Sequence, residues 1–184
     1  MKARKATAQQ AIKILDQFCK ECAEGEILKA FGWQHPPQQL RRSETLYVFS
    51  DQVAPKEGET GDPVLTVIGF GILGLNIRDA ADDEAALSAG VFPPYRRRGY
   101  WHKIMEWMIE RAKKLGADFC SRTVYKENEE HYNRSMREAH EEDANTRWIY
   151  AGDIFYPPPG YGYFVHLYDK EAENGKPEES SEKS

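Results

Sequence analysis

The stretch Val91-Phe92-Pro93-Pro94-Tyr95-Arg96-Arg97-Arg98-Gly99-Tyr100-Trp101 concentrates the chemistry of this chain. It reads as a strand end, a turn set by two prolines, three arginines, a glycine and the start of an amphipathic helix. The first N–H groups of a helix lack intrahelical partners, and the helix dipole is positive there. Glycine lets a backbone approach a ligand closely. Guanidinium groups add charge and forked donors. Together these residues form an anion cradle suited to a diphosphate. On charge alone, a solvated basic patch is the other reading. Arginine has the wrong sign for a helix start, where acids are preferred, and that misfit points to an external anion.

The elements around this stretch follow from periodicity. Trp101, Ile104, Met105, Met108, Ile109 and Ala112 keep helical spacing, and Gly116 stands where a helix ends, so a helix is expected over 101–115. Ala85–Phe92 and Asp118–Val124 read as the strands on either side. Upstream, Ile12, Leu15, Phe18, Cys19 and Cys22 predict a helix within 8–31, broken at Gly25. Leu46–Phe49 and the long run Val64–Ile77 predict strands, joined by a polar loop over 50–63. The glycines in Val64–Ile77 point to bulges or a close backbone neighbour. Arg78–Glu84 reads as an acidic turn and Glu130–Glu142 as another helix. Arg147–Phe155 and Tyr161–Tyr168 read as closing strands around a proline-rich turn. The order predicts a mixed α/β fold on one sheet, with one domain over 1–168. Residues 169–184 hold six acids, three lysines and no aromatic residue, which predicts a disordered acidic tail.

Composition excludes several classes. The 184 residues carry 25 basic and 30 acidic side chains, a formal charge of −5. That balance argues against general nucleic-acid binding. The longest apolar run, Val64–Ile77, contains three glycines and is too short to span a bilayer, so no membrane association is expected. No apolar segment follows the basic Met1–Lys5, so no secretory signal is expected and the protein reads as cytoplasmic. Cys19 and Cys22 form a lone C-x-x-C without a second pair or nearby histidine. Reduced thiols, with Cys120, are the better reading than zinc, and no metal is expected.

The motif resembles that of the GNAT superfamily of acetyl-CoA-dependent N-acetyltransferases. That family carries Val-x-Pro-x-x-Arg/Gln-x-x-Gly-x-Gly/Ala at a strand-to-helix turn; Val91, Pro93, Arg96 and Gly99 match it here, and the order of elements matches over roughly residues 5–168. The resemblance implies a splayed central sheet flanked by helices, with the pantetheine arm of acetyl-CoA between the strand ending at Val91–Phe92 and the 118–124 strand. It implies cofactor contacts from Val91, Phe92, Arg96, Arg97, Arg98, Gly99, Tyr100, Trp101 and Asn133. Trp101 departs from the family's small residue. Its place in the apolar stripe predicts an inward ring that leaves the backbone available; a ring that closes the pocket is the rival.

The resemblance further implies direct acetyl transfer to a primary amine of a small molecule or peptide. A backbone N–H near Phe92 would polarise the thioester. His140 stands where the family often has a tyrosine acid, seven residues after Asn133 and on the same helix face. Tyr132, Tyr150 and Tyr163 are alternatives. No base is named: the family's glutamate position is Ala85, and Glu84 faces the other side of the strand. By the same resemblance, Trp33, His35, Tyr156, Tyr161 and Tyr163 line an acceptor cleft. A non-catalytic coenzyme-binding or protein-interaction module and a toxin-like acetyltransferase of aminoacyl-tRNA are the alternatives. A homodimer is compatible with the reading.

Overall fold

The computed structural model describes residues 1–22, 40–55, 61–76, 83–125, 149–154 and 160–166. The helix expected over 130–142, the acidic tail, and Trp33, His35, Tyr132, Asn133, His140 and Tyr156 lie outside the described residues, as do most of the acidic turn and the loop at 156–159.

A seven-stranded sheet organises the chain. Strand β1 is Lys2–Lys5, β2 Glu44–Val53, β3 Val64–Asn76, β4 Glu84–Val91, β5 Phe119–Tyr125, β6 Ile149–Ile154 and β7 Gly160–His166. Their order in space is β1-β2-β3-β4-β5-β7-β6. Every neighbouring pair is antiparallel except β4 and β5, which are parallel. A parallel pair needs a crossover, and helix α2, Tyr100–Lys114, supplies it.

Strand alternation divides the core between two helices. Tyr47 and Phe49 of β2, Leu73 of β3, and Ala85, Leu87 and Val91 of β4 pack with Ile104, Met105, Met108 and Ile109 of α2. Leu46, Val48, Phe70, Ile72 and Phe92 face the other way and pack with Ala11, Leu15 and Phe18 of α1, Ala8–Glu21. Thr7 caps α1 with a reciprocal capping box: its hydroxyl accepts the Gln10 N–H, and the Gln10 side chain accepts the Thr7 N–H.

The glycines of β3 mark close approaches, as their pattern predicts. A Cβ on Gly71 would sit 2.7 Å from Met108 Sδ, and one on Gly69 would sit 2.4 Å from the Gly90 carbonyl oxygen. A bulge is present too. Phe49 pairs with Gly69 but Ser50 with Val67, so Ile68 is the extra residue of β3.

Two expectations need correction, and one element was not expected. The basic segment Lys2–Lys5 is an edge strand. Its Lys and Arg side chains are what an exposed sheet edge tolerates, so no apolar pattern announces it. Helix α1 ends at Glu21, with Cys22 already extended, short of the expected break at Gly25. Its buried face is Ala11, Leu15 and Phe18, whereas Ile12 is 41 % exposed.

Candidate functional site: a helix N-terminus at the mouth of a split sheet

Strands β4 and β5 are pinned at one end and parted at the other. At the pinned end the Asp118 N–H donates to the Asp83 carbonyl at 2.7 Å, and the Asp83 N–H donates to the Asp118 carboxylate at 2.8 Å. Beside them the Ser121 hydroxyl donates to the Glu84 carboxylate. Ladder pairing covers only Glu84–Phe119, Ala85–Cys120 and Ala86–Ser121. Beyond it β4 runs on to Val91 and β5 to Tyr125 without pairing to each other, so the sheet splits as expected.

The end of β4 shows which of its groups face that split. The Phe92 N–H donates to the Ile68 carbonyl, at the β3 bulge, at 3.0 Å, and the Phe92 carbonyl accepts from Tyr95 N–H at 2.9 Å. The Phe92 amide is thus engaged inside the protein, its carbonyl already accepts one bond, and its ring is buried. Successive strand residues point their backbone groups to opposite edges, so the amide and carbonyl of Val91 face the split. The Arg96 Nε donates to that carbonyl at 3.0 Å.

Arg96 therefore plays a different part from its neighbours. Its guanidinium turns inward, with Nη2 donating to Cys22 Sγ at 3.2 Å and the plane 6.0 Å from the Phe18 ring centre. It ties the end of α1 to the end of β4. Arg97 and Arg98 remain exposed, and Arg97 takes the left-handed φ of +61°. Gly99 follows at φ +73°, a conformation that costs other L-residues about 1–2 kcal/mol.

Gly99 is the N-cap of α2, and no side chain among the described residues caps this end. The first helical bond is donated by Lys103 N–H to the Gly99 carbonyl at 3.3 Å. The amides of Tyr100, Trp101 and His102 precede that bond and point out of the helix end. Among the described residues, a Cβ placed on Gly99 would meet nothing within 4 Å, so they leave the space beside this turn open. No acid stands in the first turn. Open space, outward amides and two exposed guanidinium groups fit a diphosphate.

Trp101 answers to its place in the helical stripe. It is half-buried and packs against the α2 side of the core. The Arg122 guanidinium lies 5.3 Å from its ring centre, within cation–π range. Arg122 is only 8 % exposed and leaves β5 just past the last β4–β5 pair. Sequence reading missed it, although alternation from the buried Cys120 places position 122 on the same face. Also missed was the tie between Asp51 and Tyr100. Their side chains hydrogen-bond, and the N-terminal ammonium reaches Asp51 at 3.0 Å. Burial, then the Asp51 charge, raises the Tyr100 hydroxyl above its ordinary value.

Among the described residues no group of metal ligands occurs, and no helix is long and apolar enough to cross a membrane. Cys19, Cys22 and Cys120 are in no disulfide, and burial pushes the Cys120 thiol up to about 12. Strands β6 and β7 carry Tyr150, Tyr161 and Tyr163, with Tyr150 opposite Tyr163 in the ladder.

The sequence matches no family model and no curated protein. Solved structures are similar over nearly the whole chain. An N-acetyltransferase from Staphylococcus aureus Mu50 has a TM-score of 0.58 at 16% identity, covering 91% of this chain and 98% of that one. The GNAT domain of PAT from S. lividans gives 0.56 at 16%, covering 90% and 89%. NAA60 from Arabidopsis thaliana, solved in complex with acetyl-CoA, gives 0.56 at 13%, covering 90% and 98%. The chain has the GNAT fold, with the split sheet and the crossover helix where the motif predicts them.

Proposed function

We propose that this chain transfers the acetyl group of acetyl-CoA directly to a primary amine of a small molecule or peptide. The observation that carries the reading is the open, uncapped start of α2 at the mouth of the β4–β5 split. The amides from Arg97 to Trp101, with the Arg97 and Arg98 side chains, hold the diphosphate. The Val91 edge of β4 holds the amide-bearing arm by strand-like hydrogen bonding. Arg96 and Phe92 shape this edge from within. Acetyl-CoA, when bound, supplies an acetyl thioester.

The chain's own residues then orient and polarise. The Val91 amide, facing the split, stands to donate to the acyl carbonyl in place of the Phe92 amide. Asn133 steadies the arm, and His140 donates the proton taken up by the departing sulfur, a task suited to imidazole near neutral pH. No side chain is assigned as base, so the amine arrives neutral or loses its proton to water. The setting is the cytoplasm, where disulfides are transient rather than structural.

The test is turnover. Purified chain with acetyl-CoA and a panel of polyamines, aminoglycosides and peptides should release free thiol with at least one amine. His140→Ala should lower kcat by about 10²-fold or more while leaving coenzyme affinity intact. Tight coenzyme binding with no thiol release across the panel would instead make this a binding module on the same fold.

A further inference from the structure

The C-x-x-C at the end of α1 is absorbed by neither the fold nor the transfer reaction. Cys19 lies in the last turn of α1, and Cys22 is its extended C-cap. Both are half-buried and in no disulfide. The Cys22 sulfur is one of the holds on Arg96, whose Nε in turn holds the Val91 carbonyl at the edge of the split. A change at sulfur 22 thus reaches the end of β4 through one side chain.

We propose that Cys19 and Cys22 are a redox-modifiable dithiol whose closure to a disulfide withdraws Cys22 from Arg96 and loosens the coenzyme-binding turn. Its effect on coenzyme rests on the acetyl-CoA reading above; the closure itself does not. Two cysteines three positions apart at a helix end lie on neighbouring sides of the last turn, within the short span a disulfide bridges. A guanidinium at hydrogen-bond distance is the kind of neighbour that activates a sulfur. Cys19 has the opposite surroundings: burial, then the Asp16 carboxylate, raises its thiol above the ordinary value. Cys22 is therefore the attacking sulfur and Cys19 the resolving one.

The oxidant is a low-molecular-weight disulfide. The Cys22 thiolate attacks one of its sulfurs, forming a mixed disulfide and releasing one thiolate. Cys19 then loses its proton and attacks sulfur 22, forming the Cys19–Cys22 bond and releasing the second thiolate. Two protein thiols give up two electrons, and one small disulfide becomes two thiols. Cys120, fully buried, serves as an internal control.

The experiment treats the full chain with glutathione disulfide and reads three quantities. Mass spectrometry of digests should find a Cys19–Cys22 link and an unmodified Cys120. Hydrogen exchange of the 92–99 turn should quicken in the oxidised chain and return on reduction. CoA affinity should fall about tenfold on oxidation, the scale of one charge-assisted contact, and recover with dithiothreitol. The Cys19→Ser variant should bind CoA normally when reduced and retain glutathione on Cys22. Failure to find the link, or a link that leaves both exchange and affinity unchanged, overturns the proposal. If the reduced chain binds no CoA, the coenzyme reading falls, and the link with the exchange of the turn decides the dithiol alone.

Discussion

At the proposed diphosphate site, the φ of +73° at Gly99 asks for glycine, and among the described residues a Cβ there would meet nothing within 4 Å. Gly99→Ala should weaken CoA binding by the strain of holding the turn in its binding shape, about five- to thirtyfold for the ~1–2 kcal/mol of a left-handed alanine. Gly99→Asp adds a negative charge where the proposed diphosphate would lie and should abolish binding in calorimetry, a larger loss than that of Gly99→Ala. Three adjacent arginines could be read from the sequence as a cation cluster, but not their division of labour. Arg96 turns inward to Val91, Cys22 and Phe18, whereas Arg97 and Arg98 stay in solvent. That difference depends on where α1 ends, a long-range fact no local motif contains. The contact of Arg122 with Trp101 joins β5 to α2, and in the sequence only the alternation from Cys120 points to it.

Among the elements, the two helices differ in how firmly they are held. Helix α2 buries Ile104, Met105, Met108 and Ile109 into one face of the sheet. Helix α1 buries Ala11, Leu15 and Phe18, and Phe18 meets Phe70 and Phe92 edge-on at 5.0 and 5.6 Å. Phe18 also lies under Arg96, so it joins α1 to the turn before α2. Phe18→Ala should cost about 3–5 kcal/mol in urea unfolding, as loss of a buried aromatic does. It should also weaken CoA binding, whereas Ile12→Ala, on the exposed side of the same helix, should change neither. Helix α2 and strands β3 and β4 were legible because their apolar periods are long and their glycine signals are sharp. Strand β1 was not, because pairing at a sheet edge leaves Lys2, Arg4 and Lys5 in solvent and erases the alternation. The frame of α1 slipped because alanine at position 11 fills the tight place against the sheet and isoleucine at 12 does not.

At the scale of the whole molecule, an almost wholly antiparallel sheet contains one parallel junction, and the candidate site lies there. Asp83 and Asp118 pin the base of this junction. A second tie lies across the sheet. The N-terminal ammonium bonds to Asp51 and, with the bonds from Gln52 N–H and Tyr100, holds the Asp51 carboxyl below its ordinary value of 3.8. A carboxyl lowered by folding stabilises fully above its unfolded value and loses that contribution as pH falls through the folded one. Acid should therefore weaken the fold between about pH 5 and 2, and Asp51→Asn should flatten that limb of a urea-midpoint titration. A limb of unchanged slope would mean that this tie does not form in solution.

The central claim, that the amides opening α2 grip a diphosphate, is tested most directly by an amide-resolved NMR titration with CoA. The largest and saturable shifts should fall at Arg97–His102, with smaller ones along Leu87–Val91 facing the split. Shifts confined to the exposed basic side chains, or spread over the surface with no saturation at the start of α2, would contradict it.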